Sequence, residues 1–383
     1  MTVTVSDPRV TSGEISALVS AGARSQRLFF RASGLQPEGV AGFLPIALLP
    51  AMKIAEPLRI AGDVSARLLA AVPQIQDVFA TWDSNLRRVL VEVDTANGEP
   101  HQGTRVGCFF TGGVDSFFSV LRHRNEITHL IFVLGFDIPL RHRAQLRDDA
   151  VRMAREVATS LGKELVLVET NLRPFSDNYS PWWFCHGSAL AGVGLLFQRH
   201  FDKLIVPATH TYADLFPWGT HPLLDPLWGT ESTDFVHDGC ETTRVDKVGV
   251  IASSDLAMQW LRVCLVNPNS TYNCCRCEKC LRTMISLHVH GALARCRTFP
   301  SRLDVRAVSN IRLRDANERS YMRENLLAVQ RLTNDRSLTR AIRRALRGRL
   351  RHNAVDGLRQ AIPKRLRLRV RARRWKRESA IWT

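Results

Sequence analysis

The sequence predicts an α/β fold: a parallel sheet with helices on both faces, flanked by a small N-terminal α+β module and a basic helical C-terminal tail. Three observations predict it. From residue 104 onward, short apolar runs alternate with longer segments of helical period. A glycine turn stands directly between the first of these runs and its helix. The excess positive charge is confined to the last 53 residues. Continuous apolar strands that each lead into a helix are the pattern of βα units, whose parallel sheets are buried on both sides.

Taken in order, residues 27–32 and 88–93 read as short strands, 57–60 as a third, and 65–78 as a helix. These make up an N-terminal module over residues 1–100. The polar, turn-rich stretch 94–103 reads as a linker. The central domain, 104–300, starts with a strand over 104–110 and a helix from Asp115 to about residue 124. A strand over 128–136 follows, then a helix over 143–161 that Gly162 stops. Residues 164–169 read as a third strand, 185–200 as a helix and 203–208 as a fourth strand. The C-terminal region, 301–383, holds arginine-dense candidate helices over 337–349 and 364–376.

The net charge of +17 suggests a nucleic-acid partner until it is located. Residues 331–383 hold 18 Lys and Arg against 3 Asp and Glu, so the rest of the chain is almost neutral. Such a tail is either a solvated basic segment or a contact for RNA or an anionic membrane. No stretch has the make-up of a secretory signal or a membrane span, and the sequence reads as cytoplasmic. Four of the nine cysteines fall within seven residues. Without a secretory signal, such clustering points to a metal rather than to disulfides.

The glycine turn reads Phe110-Thr111-Gly112-Gly113-Val114-Asp115-Ser116. Two glycines let the backbone turn tightly and bring N–H groups up to an anion, while Thr111 and Ser116 add hydroxyls. The helix behind it points its positive end at the same place. The lysine of the GxxxxGK[ST] phosphate loop is missing. The turn resembles instead the SGGxDS loop of the PP-loop ATP pyrophosphatases, which grips the pyrophosphate released when ATP adenylates a substrate. That resemblance implies ATP as substrate and Asp115 as a holder of Mg²⁺, a hard cation suited to phosphates.

Cys264, Cys274, Cys277 and Cys280 have the spacing C-x9-C-x2-C-x2-C. Four thiolates suit a closed tetrahedral Zn²⁺ site, which has no open position and is therefore structural. An iron–sulfur cluster or sulfur-transfer cysteines would use the same residues. Cys275 adjoins Cys274 and cannot easily serve the same metal, so Cys274 is taken as the ligand because it keeps the regular spacing.

Together, the loop and the late cysteines resemble the 7-cyano-7-deazaguanine synthase family, whose cysteine spacing is one residue tighter. Phe136-Asp137 looks like that family's position at the end of the second strand. Arg141-His142-Arg143-Ala144, residues 154–158 and Leu161-Gly162 are similar to its next segment. Lys247 stands where the family keeps a lysine, and Arg282 has a counterpart. The resemblance spans about residues 104–290 and implies a nucleotide alpha hydrolase-like fold. It also implies ATP with Mg²⁺ and adenylation of a carboxylate or amide. The residues implied to bind nucleotide are Phe110, Thr111, Gly112, Gly113, Asp115, Ser116 and Asp137, with Asp115, Ser116 and Lys247 serving the reaction.

The sequence also departs from that family. Cys185-His186-Gly187 replaces an Arg-Asn pair. The family's substrate loop gives way to 209–231, in which His210, Asp214, His221, Asp225 and Glu231 lie between tryptophans. This stretch reads either as a pocket for a different substrate or as a loop packed on the N-terminal module. Three function classes follow. The first is an adenylate-forming ligase or amidotransferase using a small acid with ammonia or another nucleophile. The second is a PP-loop RNA-modifying enzyme of thiolation or lysidine type, and the third a non-catalytic nucleotide- and zinc-binding regulator.

Overall fold

A computed structural model describes residues 2–97 and 104–348. The strands are β1 (Val3–Thr11), β2 (Glu14–Ala21), β3 (Arg24–Ser33), β4 (Leu58–Ser65), β5 (Val91–Asn97), β6 (Val106–Phe109), β7 (His129–Leu134), β8 (Glu164–Thr170), β9 (Lys203–Pro207) and β10 (Asp234–Asp238). The helices are α1 (Phe43–Ile54), α2 (Ala66–Trp82), α3 (Val114–Arg122), α4 (Ala144–Leu161), α5 (Leu172–Ser176) and α6 (Trp182–Leu195), followed by α7 (Arg244–Ala252), α8 (Asp255–Trp260), α9 (Glu278–Val289), α10 (Val305–Asn310), α11 (Ala316–Leu332) and α12 (Arg336–Arg347).

All ten strands form one mixed, mostly parallel sheet in the order β10-β9-β6-β7-β8-β3-β2-β1-β4-β5. The β10 to β8 run is parallel throughout. β3 joins it antiparallel to β8, placing Phe30 opposite Thr170, so the N-terminal strands extend the same sheet. Sequence reasoning gave no strands over β1 and β2, although Val3 and Val5 in one and Ile15, Ala17 and Val19 in the other alternate inward. The expected linker is strand up to Asn97, and the rest of it lies outside the described residues. The apolar run at 43–52 is helix α1, whose side chains through Met52 are all buried.

Period-2 alternation divides the core between the two faces. In β6 and β7, Phe109 and Ile131 face one cluster with α1, α2 and α6. Cys108, Leu130 and Phe132 face a second cluster with α3, α4, α7 and α9. Local signals set the ends of several helices. Ser65 Oγ accepts the Leu68 amide at the start of α2, Thr243 accepts from Asp246 N in α7, and Gly162 takes the left-handed conformation that ends α4.

The basic C-terminal region is part of the packed body as far as it is described. Leu338, Ala341 and Ile342 of α12 close a third cluster with Met322 and Val329 of α11 and Leu281 and Ile285 of α9. The arginines of α12 occupy its opposite, exposed face. The helix expected over 364–376 lies outside the described residues. A chain cut at Arg331 therefore loses a piece of core and should melt at a clearly lower temperature. Leu338→Ala alone should cost about 2–5 kcal/mol in a denaturant titration.

Candidate functional site

The glycine turn lies at the carboxyl end of β6, where open α/β sheets bind ligands. Gly112 has φ +73°, and a Cβ there would sit 2.6 Å from Met153 Cε, so only glycine fits. The turn is closed from within. Ser116 Oγ accepts the Thr111 amide at 3.3 Å and donates to Gly113 O at 3.1 Å. The Arg262 amide donates to Gly112 O at 2.8 Å, tying the segment before Cys264 to the loop. The first N–H groups of α3 have no partner inside the helix and open toward the same space.

Asp115, in the first turn of α3, accepts a hydrogen bond from Arg244 Nη1 at 2.8 Å and lies 3.7 Å from Lys247 Nζ. Burial raises the cost of its charge, but Arg244 and Lys247 outweigh that and hold the carboxyl below its ordinary pKa. Its Oδ1 is buried, faces Lys247, and accepts no hydrogen bond among the described residues. Lys247 is fully buried and donates to Ala208 O at 2.7 Å. It stands behind Asp115, outside the set of residues that line the neighbouring cavity.

That cavity has a volume of about 330 Å³. Phe110, Thr111, Gly113, Asp115, Ser116 and Asp137 all line it, while Gly112 forms the turn beneath. Its cationic lining comes from Arg244 on α7, Arg262, and Lys279 and Arg282 on α9. Burial, with Arg282 and Arg244 alongside, pushes the Lys279 ammonium down to about 8. The aromatic wall is Trp182, Trp183 and His186 of α6 with Trp218 and Tyr321. Trp182 Nε1 donates to Asp137 at 3.2 Å, and the Arg173 guanidinium lies 4.3 Å from the Trp182 ring. A Cβ on Gly187 would fall 1.7 Å from Gly219 O. This close approach brings Trp218 and His186 together with ring centroids 5.5 Å apart.

The replacement loop contributes Thr209, Trp218 and Thr220 to the wall. The five polar residues singled out in it point elsewhere. Asp214 accepts from Ser320, Asp225 pairs with His237 at 2.6 Å, and His221 packs on Trp82. Glu231 accepts the Arg67 amide at 2.7 Å. His210 is buried against Tyr321, and desolvation pushes its pKa down to about 3, keeping it neutral.

Cys264, Cys274, Cys277 and Cys280 place their sulfurs within 4.8 Å of one another, a group that can hold a metal ion. The Cys264–Cys277 and Cys274–Cys280 sulfur pairs are each 3.9 Å apart. A tetrahedron of Zn–S bonds of about 2.3 Å separates sulfurs by about 3.8 Å, so the spacing fits Zn²⁺. Two backbone amides donate to these sulfurs, Asn267 N to Cys264 at 3.2 Å and Cys277 N to Cys274 at 3.3 Å, as thiolates require. Cys275 has φ +59° and turns its thiol to Asn273 O, away from the group.

Sequence reasoning missed Arg244, Arg262, Lys279, the tryptophans and Tyr321 as site residues. Three of the cations had a usable signal in their position. Arg244 is one turn before Lys247, Arg262 two residues before Cys264, and Lys279 between two of the cysteines. No family model matches the chain, and neither curated proteins nor solved structures give a significant match.

Two outcomes are expected. Purified protein should carry about one Zn²⁺ per chain. Cys277→Ser should lower metal content and melting temperature together, while Cys275→Ser changes neither. The second concerns His237. Desolvation lowers its pKa, but the buried Asp225 outweighs this and raises it to about 9 from 6.5. A raised pKa contributes stability fully below about pH 6.5 that is lost as pH climbs through about 9. Stability should therefore decline by up to about 3 kcal/mol across that window, and Asp225→Asn should flatten the decline.

Proposed function

We propose that the chain is an ATP-dependent ligase of the PP-loop type, splitting ATP between its α and β phosphates to activate a small acid. The observation that carries this reading is the junction of an anion-binding turn with a cavity whose charged lining is four cations against two carboxylates. A polyphosphate supplies the missing negative charge, and the turn lacks the lysine that serves γ-phosphate transfer.

In this reading the amides of residues 113–116 and the hydroxyl of Thr111 hold the β and γ phosphates, while the Ser116 hydroxyl keeps the turn closed. An acceptor carboxylate oxygen attacks the α phosphorus, the bond to the β-bridging oxygen breaks, and pyrophosphate leaves with the electron pair. Arg244 and Arg262, fixed on either side of the turn, stabilise the charge that develops there. Ammonia or another nucleophile then attacks the acyl carbon and expels AMP. The aromatic wall screens the acyl adenylate from water. Mg²⁺ would be held by the Asp115 carboxylate together with the phosphates, and would supply charge neutralisation. Lys247 keeps Asp115 ionised from behind.

ATP incubated with candidate acids should yield AMP and pyrophosphate, separable from ADP and phosphate by chromatography; ADP as main product overturns the reading. Asp115→Asn should lower turnover by about 100-fold or more, with circular dichroism confirming a folded chain. A chain ending at Gly348 removes twelve of the basic residues and should keep small-acid turnover. Activity on RNA-borne groups alone, lost with that deletion, would favour an RNA-modifying enzyme instead.

A further inference from the structure

The cations of the cavity are held by a helix that carries none of the recognised motifs. Arg282 rises from α9 and lays its guanidinium on the Tyr321 ring, 3.9 Å from the centroid. Arg244, on α7, lies 5.7 Å from the same ring. Tyr321 belongs to α11, is almost fully buried, and lines the cavity itself. Its hydroxyl is anchored on the other side of the site, donating to Thr209 O at 3.0 Å and lying 3.2 Å from His210 Nδ1. Since His210 is neutral and the hydroxyl donates to Thr209, Nδ1–H of His210 donates to the tyrosine oxygen.

The carboxylate beside Arg282 pairs with it by charge and not through a hydrogen bond. Glu278 Oε1 lies 3.4 Å from Arg282 Nη1, and among the described residues neither this oxygen nor Arg282 Nε nor Arg244 Nε has a hydrogen-bond partner. A guanidinium on a flexible stem needs a rigid surface to keep its fork aimed. The flat, buried ring of Tyr321, held by the packing of α11, is that surface for two guanidiniums at once.

We infer that Tyr321 is a positioning residue that sets Arg282 and Arg244 for the anionic ligand, making α11 part of the active site. The inference rests on the proposed function for the identity of that ligand but not for the geometry. α12 belongs to the same device, because its Leu338 and Ile342 pack with Met322 and Val329 of α11.

Two variants separate ring from hydroxyl. Tyr321→Phe keeps the ring, and Tyr321→Leu removes it while keeping an apolar filling. The first readout needs no turnover. In arginine-labelled protein, Arg282 Nε–H, assigned through Arg282→Lys, should lie upfield from ring-current shielding. That shift should persist in Tyr321→Phe and vanish in Tyr321→Leu. The second readout is kinetic. KM for ATP should rise about tenfold in Tyr321→Leu and stay within about twofold in Tyr321→Phe. A merely structural role would reduce the active fraction, lowering apparent kcat at unchanged KM in both. An Arg282 resonance unmoved by Tyr321→Leu overturns the inference, as does an unchanged KM in that variant. If the resonance moves as expected but wild-type protein forms no AMP with any acid, the proposed reaction fails and the positioning geometry stands.

Discussion

Charge inside the cavity is the constraint on which the rest of the site depends. Guanidinium groups are costly to remove from water unless carboxylates or hydrogen bonds compensate them. Here the compensation is incomplete. Asp115 pairs with Arg244, and Glu278 stands beside Arg282, but Arg262 reaches only Cys264 O at 3.5 Å. Lys279 adds a fourth positive group to the same wall. On the proposed function, a ligand with several negative charges would complete the balance.

Much of this was legible in the sequence, and the limit follows from what is local. The turn at Thr111–Ser116 could be read because strand, glycines and helix start are contiguous and each has its own residue preference. The grouping of Cys264, Cys274, Cys277 and Cys280 could be read for the same reason. Gly162 marked the end of α4. By contrast, the difference between a solvated arginine and a cavity arginine lies in tertiary packing. Arg244 and Lys279 are marked only by their neighbours in sequence, and Arg282 only by the resemblance, until α7 and α9 are set side by side. Tyr321 gave no signal, being one aromatic residue in a polar helix 40 residues beyond the cysteines. Strands β1 and β2 were overlooked although they alternate cleanly, and α1 was hidden by two prolines that the helix accommodates at its first turn and near its end.

Lys247, which the resemblance implies to serve the reaction, stands outside the cavity. Thr243 starts α7, and one turn later the Lys247 side chain runs inward to Ala208 O at the end of β9. From there it reaches Asp115 from behind, while Arg244, three residues earlier on the same helix, reaches it from the cavity side. One helix therefore delivers both charges that hold Asp115 ionised, and the carboxylate stays fixed between them.

The four cysteines and the cations belong to one mechanical unit. Cys277 is the residue that starts α9, and Cys280 lies in its first turn. Lys279 lies between them, and Arg282 is only two residues beyond Cys280. A metal held by these thiolates would fix the origin and direction of α9, and so the places from which Lys279 and Arg282 enter the cavity. The same knot holds Cys264, two residues after Arg262, whose amide clasps the glycine turn. A closed thiolate site has no chemistry of its own to offer. Its contribution would be to set three of the four cations against the glycine turn, with the fourth, Arg244, set by α7, Asp115 and Tyr321. Tyr321 then acts at the far end of the longest of these levers, where a small rotation of Arg282 would be largest.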